Sequence, residues 1–304
     1  MITADPGVFL ERLAALEADP GRALPRGVMM ILPEQFYVET QTARDNVYVD
    51  TEAEADSALA WRQAEALARL VESVGLPVRR FEGRPEQPDG VFSNNVFATI
   101  PGRLVVGSMF HPVRQPEADR EDVRDWILVK QGYELVELSQ RRCVAELTGS
   151  LVIDRARNVG FCGMSHRVDD AGLAAMHEAL GLDLTYRFDL NPDEYHTNVV
   201  LSVLAGRACV VHPEAFPDRA VPATLAAAFP DRCLEVTEAE KVAFVANCIA
   251  LTDQDLFMSA AADAALTDRS RAKLADWGFT IHATDLSELE LAGGSLRCMI
   301  TEIF

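Results

Sequence analysis

The chain has 304 residues, 49% hydrophobic and 25% charged, enough to bury a large core and too apolar for a disordered chain. Lys and Arg number 28 against 47 Asp and Glu, a net charge of −19, and such a field repels nucleic acid and anionic membrane. No apolar run approaches the roughly 20 residues of a bilayer span and the N-terminal residues lack secretory-signal features, so the expected compartment is the cytoplasm.

Residues 1–26 read as an N-terminal helical extension, with a decorating helix from Val8 to Ala18 that ends in Asp19-Pro20-Gly21. From Gly27 a unit begins that recurs. The apolar strand Val28 to Leu32 leads through a polar loop containing Asp45 and Asn46 into a helix of about 52–74. Its apolar residues fall at three- and four-residue spacing, Gly75 stops it, and a short strand follows near Val78.

The second unit opens with Val91 to Ile100 and Leu104 to Val106, hinged at Pro101-Gly102, then a helix from Glu117 to about Lys130 and the strand Glu134 to Leu138. The third runs Ser150 to Ile153, Val159 to Cys162, a helix of about 170–180, and Leu184 to Phe188. The fourth has Val199 to Leu204, Ala208 to Val211, a helix of about 221–229, and Cys233 to Val236. The fifth has Val242 to Leu251, Leu256 to Met258, a helix of about 260–276, and Phe279 to His282.

Each unit is a hairpin, a helix and a return strand. Strand pairs hinged by two or three turn residues demand antiparallel pairing inside each unit, which neither a doubly wound sheet nor a TIM barrel would contain. The expected fold is therefore α/β: five ββαβ units around a pseudo-fivefold axis, with 27–304 as one domain. The C-terminal run Leu296 to Ile303 would close the ring as the hairpin partner of Val28 to Leu32.

Six cysteines, at 143, 162, 209, 233, 248 and 298, carry no paired spacing, so neither a disulfide framework nor a zinc site is expected. No cofactor is expected either. In a ring, polar residues at the starts of the hairpins become neighbours although far apart in sequence. These are Asp89, Asn94 and Asn95 in the second unit, Glu146 in the third, His196 in the fourth, and Cys298 after Gly293-Gly294 at the closing strand. Singly each has a plain reading: a free cysteine is usually a small buried hydrophobe, and Asn-Asn a turn former. Together, a thiol, an imidazole and a carboxylate are the parts of nucleophilic catalysis on a planar carbon.

The segments Phe92-Ser93-Asn94-Asn95, Glu146-Leu147-Thr148-Gly149-Ser150-Leu151, Tyr195-His196-Thr197-Asn198 and the terminal Gly-Gly-Ser-Leu-Arg-Cys-Met-Ile-Thr-Glu-Ile-Phe resemble the guanidino-group-modifying superfamily. That superfamily holds arginine deiminases, dimethylarginine dimethylaminohydrolases, glycine amidinotransferases and arginine dihydrolases. Within it the chain is most similar to the citrulline-utilisation hydrolases. The resemblance runs from about Val28 to Phe304 and implies a five-bladed α/β propeller, a small-molecule substrate of the arginine or citrulline type, and hydrolysis of a non-peptide C–N bond that yields ornithine.

Carried over by position, the resemblance makes Cys298 the nucleophile, His196 the general acid and base, and Glu146 the ligand of the guanidinium or ureido nitrogens. Asp89, in a Pro-Asp-x-x-Phe motif, would contact the amino-acid end of the substrate, and Arg167 its carboxylate. Asn46, Asn94, Asn95 and Asn198 would line the pocket. Two departures stand out: deiminases and dimethylaminohydrolases carry an acid where this chain has Asn95, and some relatives carry aspartate at Asn198. An amide can donate to a neutral ureido oxygen and accept from its nitrogen, which an aspartate cannot. An amidinotransferase, a deiminase or dimethylaminohydrolase that stops at citrulline, and a ligand- or ribosome-binding propeller without catalysis remain open. So does a homodimer through apolar outer helices.

Overall fold

The computed structural model describes residues 1–304. Strand β1 (Ile2–Thr3) precedes a helix, Pro6–Ala14, whose first turn is capped by Asp5. Then follow β2 (Gly27–Leu32), β3 (Val78–Glu82), β4 (Phe97–Ile100), β5 (Arg103–Val106) and β6 (Glu134–Glu137). The third and fourth units supply β7 (Leu151–Asp154), β8 (Val159–Met164), β9 (Leu184–Asp189), β10 (Leu201–Leu204), β11 (Ala208–Val211) and β12 (Cys233–Glu235). The last four are β13 (Ile249–Ala250), β14 (Asp255–Ser259), β15 (Thr280–Thr284) and β16 (Thr301–Ile303).

These strands make an α/β protein with five separate sheets, each built in the same order. In each, two strands pair antiparallel and a third pairs parallel after a crossover: β4-β5-β6, β7-β8-β9, β10-β11-β12 and β13-β14-β15. The remaining sheet joins the two ends of the chain, β16 antiparallel to β2 with Thr301 opposite Met29, and β2 parallel to β3. β1 adds a fourth, parallel strand beside β9. Parallel neighbours need a long crossover, and the helices Ser57–Ser73, Asp170–Ala179 and Ala220–Ala228 supply it.

The helix expected over about 52–74 begins at Ser57, because the Asp56 carboxylate caps the amides of Ala58 and Leu59. Its buried stripe is Ala60, Ala64, Leu67 and Val71, the spacing of one helical face. Gly75 follows it at φ +86°, the left-handed position that ends helices and suits glycine. The helix expected over Glu117 to Lys130 is broken into a 3-10 turn at Gln115–Asp119, a helix at Glu121–Asp125 and a π turn at Trp126–Lys130. The one expected over 260–276 is two, Ala260–Ala265 and Asp268–Asp276, because the Thr267 hydroxyl caps the amide of Ser270 and starts a new helix.

A consistent difference falls at the first strand of the sheets. The apolar runs Val199 to Leu204 and Leu296 to Ile303 begin within one helical turn, Thr197–Val200 and Leu296–Met299, and Ser150 to Ile153 directly follows one, Leu147–Ser150. Val91 to Ile100 begins likewise with 3-10 turns at Pro88–Val91 and Ser93–Asn95. A short continuous apolar run does not separate a buried strand from a buried helical turn. Here the turn carries the polar residue at the head of each run inward. Five apolar clusters lie among the sheets and helices, and Phe9 and Leu13 of the first helix are buried in one of them with Tyr186 and Val211. No helix is long and apolar enough to cross a membrane.

Candidate active site

The one-turn helices and the 3-10 turn Ser93–Asn95 pack on one another, the third-unit turn touching those of the second and fourth and the closing turn touching that of the second. The Thr148 hydroxyl donates to the carbonyl of Asn94 at 3.1 Å, and Ser93 and Thr301 share a hydrogen bond of 2.9 Å. Residues from four units and from the loop Pro33–Asp56 are thereby gathered around a cavity of about 290 Å³. Cys298, Asp89, Asn95, Arg167 and Asn46 line it, with Thr42, Phe92, Arg114, Tyr195, Ala292 and Gly294.

Glu146 and His196 stand behind this wall, fully enclosed. The His196 Nε2 is 2.9 Å from Glu146 Oε2, and Arg167 Nη1 donates to the same oxygen at 3.2 Å. Burial pushes the Glu146 carboxyl up, but Arg167, His196 and Arg114 outweigh it and hold it well below the usual carboxylate range. Burial dominates at His196 and lowers its pKa despite Glu146, which favours the neutral imidazole. An ionised Glu146 accepts the Nε2 proton, so Nδ1 holds the lone pair, and Nδ1 is a buried atom without a partner. The pair therefore presents an unoccupied base. The backbone passes close by at Gly149, where a Cβ would stand 2.5 Å from Asn95 Nδ2 and 2.7 Å from His196 Cε1.

Cys298 is 1% exposed. Burial raises its thiol pKa, only partly offset by Asn247, the Ser295 backbone and Asn198. Asn198 lies under the sulfur, with Nδ2 3.5 Å from Sγ; it borders a second cavity of about 510 Å³, with Arg155, Arg297 and Glu302, and does not line the first. Asn94 likewise sits behind the wall with its Nδ2 unpaired. Asn95 donates to Asn94 Oδ1 at 2.9 Å and accepts from Arg114 Nη1 at 2.9 Å. Asn94 Nδ2 is thus wholly unpaired, while Asn95 Nδ2 keeps one of its two N–H groups free. Asp89 accepts from Thr42 through Oδ2 at 2.9 Å and leaves Oδ1 unpaired, its pKa raised by burial. Orphaned buried polar atoms are rare in native proteins, and three of them, on His196, Asn94 and Asp89, are grouped around this cavity.

Arg167 is nearly saturated: it forks onto Asp45 at 2.8 and 2.9 Å and also donates to Thr42 O and Glu146. Asp45 also meets His111 Nε2 at 2.8 Å, and Asn46 reaches Gly293 O at 3.3 Å. The polar loop is in this way tied across the cavity mouth. Sequence reading missed Arg114, which is 3% exposed and holds Glu117, Asn95 and the carbonyls of Asp89 and Phe92. Burial pushes the Glu117 carboxyl up to about 7. The only hint in the letters is an acid three residues after the arginine, a spacing shared by many surface pairs. Asn247 carries no signal in the letters either, because it falls inside the apolar run Val242 to Leu251, which is expected as plain strand.

Residues 32–304 match the family described as N,N dimethylarginine dimethylhydrolase, eukaryotic. The chain is 28% identical over 291 residues to the N(G),N(G)-dimethylarginine dimethylaminohydrolase of Mycobacterium tuberculosis, covering 95% of this chain and 90% of that one. It has the fold of the N-terminal domain of ArgZ, a cyanobacterial arginine dihydrolase solved bound to substrate, with TM-score 0.77, 20% identity, and 91% and 97% of the two chains covered. A dimethylarginine dimethylaminohydrolase solved as an adduct with S-methyl-L-thiocitrulline gives TM-score 0.70 at 18% identity, covering 92% of this chain and 100% of that one.

Proposed function

The chain belongs to the N,N dimethylarginine dimethylhydrolase family, and we propose that it hydrolyses the C–N bonds of the guanidino or ureido group of an arginine-type amino acid through a covalent adduct on Cys298. The observation that carries this is one cavity lined by the Cys298 thiol and by Asp89, Asn95, Arg114 and Arg167, backed by the His196–Glu146 pair. The five sheets then act as the blades of a propeller around a pseudo-fivefold axis, residues 27–304 forming the catalytic domain and 1–26 an extension. The contacts between successive hairpin starts support that arrangement.

The thiol loses its proton and the sulfur attacks the planar carbon of the substrate. His196 takes up a proton at Nδ1 and delivers it to the departing nitrogen, which leaves as ammonia or an amine. The thiouronium left on Cys298 is attacked by water, whose proton returns to His196. Collapse frees the thiol and a ureido group. Glu146, held ionised by Arg167, fixes the imidazole tautomer and lends its negative charge from behind the wall to a guanidinium bound in the cavity. Asp89 takes the α-amino group, and Arg114 and Arg167 the carboxylate, with Asp45 giving way at Arg167. Asn46 closes the wall and Asn198 supports the sulfur.

The neutral amide of Asn95, which lines the cavity with Asn94 behind it, favours a second round on the ureido group, its remaining N–H donating to the ureido oxygen. The balance is then arginine plus two waters to ornithine, two ammonia and carbon dioxide. Incubation with arginine, citrulline and dimethylarginine separately, with amino-acid analysis and Cys298→Ala alongside, tests this. Ornithine from citrulline, lost in the variant, is the expected result; citrulline as the end product would remove the second round. No turnover of any of the three would overturn the substrate class.

A further inference from the structure

The geometry points to Asn247, on the fifth unit, as the positioning residue that holds a hydrogen-bond donor against the Cys298 sulfur and so sets how much thiolate is available. This rests on the reading of Cys298 as the nucleophile. Asn247 is 1% exposed, and its amide is engaged on three sides. Its Oδ1 accepts from the backbone amide of Arg297 at 3.0 Å, and its Nδ2 donates to the carbonyl of Asn198 at 2.8 Å and to Cys298 Sγ at 3.4 Å.

The orientation of that amide is dictated by its neighbours. Turning it over would set its nitrogen against the Arg297 N–H and its oxygen against the Asn198 carbonyl, a donor facing a donor and an acceptor facing an acceptor. The N–H toward the sulfur is thus fixed. Asn247 Oδ1 stands farther off, at 3.9 Å from Sγ, whereas Asn198, with Nδ2 and Oδ1 at 3.5 and 3.7 Å, has no other side-chain partner to fix its orientation. The backbone is bent to bring Asn247 there: Phe244 has φ +63°, uncommon for a bulky side chain, and its carbonyl accepts the Asn247 amide at 2.8 Å. Immediately beyond, β13 is only two residues long.

A buried thiolate needs donors, and beyond Asn247, Asn198 Nδ2 at 3.5 Å and the Ser295 backbone, the other groups near it do not supply one. The Arg297 guanidinium turns to Glu302 at 2.8 Å and to the carbonyl of Ile300. The Tyr195 hydroxyl donates to Gly293 O. Arg114 and Arg167 are engaged by Glu117 and Asp45, Asp89 would oppose an anion, and His196 is paired with Glu146. Hydrogen bonds to a charged partner are the stronger kind, and loss of one raises a pKa by about one unit or more.

The test is alkylation of the full chain by 2-chloroacetamidine from about pH 6 to about pH 10.5, read at Cys298 by peptide mapping. Asn247→Ser and Asn247→Asp are compared with the wild type. Both variants are expected to shift the profile upward by about one unit or more, Asp further than Ser, with a constant deficit at low pH that narrows toward the highest pH for Asn247→Ser. A profile that overlays the wild type, or a deficit that does not narrow for Asn247→Ser as the wild type levels off, would overturn the assignment. Should the buried carboxylate of Asn247→Asp prevent folding, the smaller Asn247→Ser carries the test. Failure of the parent reading looks different: wild-type Cys298 would then label no faster than the other five cysteines.

Discussion

The imidazole Nε2 of His196 stands 2.9 Å from the carboxylate Oε2 of Glu146, both side chains sealed from solvent, while Nδ1 of the same ring has no partner. One oxygen thereby decides which nitrogen is the base.

Replacing that oxygen's charge should disarm the base without dismantling the site. Glu146→Gln keeps the shape but lets the ring adopt the other tautomer and removes a negative charge from behind the cavity. The expected loss in kcat is about 10²- to 10⁴-fold, the usual worth of positioned acid–base catalysis. Steady-state kinetics on arginine checks it, and a change confined to KM would contradict it.

The pH profile of the thiol follows from burial. Cys298 is raised and His196 lowered, so near neutrality the resting pair is thiol plus imidazole and not thiolate plus imidazolium. Alkylation at Cys298 should therefore climb about tenfold per pH unit from pH 7 toward pH 9, following the thiolate fraction. A plateau reached below pH 7 would reveal an ion pair in its place.

Gly149 tests how tightly the base is held. A methyl there meets Asn95 Nδ2 at 2.5 Å and His196 Cε1 at 2.7 Å, and both neighbours are themselves fixed. Gly149→Ala should lose about 10²-fold in kcat through displaced geometry and about 1–3 kcal/mol of stability through overpacking. Kinetics and denaturant melts together measure this; unchanged kcat in a folded variant would mean that the ring has room to move.

Asn95→Asp should tilt substrate preference. The new carboxylate would face Arg114 and the cavity, favouring a cation over a neutral ureido group. The ratio of citrulline to arginine turnover should fall by about tenfold or more. An unchanged ratio would leave the amide pair without a role in selection.

Much of this architecture was readable in the letters, and the exceptions share a cause. Turn residues such as Pro101-Gly102 announce the hairpins, and Gly75, Gly132, Gly181 and Gly278 fall where helices end. Asp56 and Thr267 could have placed two helix starts. The one-turn helices at Thr197–Val200 and Leu296–Met299 could not be read, because a buried turn and a buried strand are both short apolar runs. Arg114 looks like any surface arginine until the loop folds it under Asp89 and Phe92. Asn247 depends on the left-handed bend at Phe244, which no neighbouring glycine advertises.

The most direct measurement is acid quenching of the protein during turnover of arginine, followed by peptide mass mapping of all six cysteines. The account predicts an adduct of the substrate carbon on the peptide carrying Cys298 and on no other, together with no turnover in Cys298→Ala. Turnover that persists in that variant, or an adduct on a different cysteine, would contradict it.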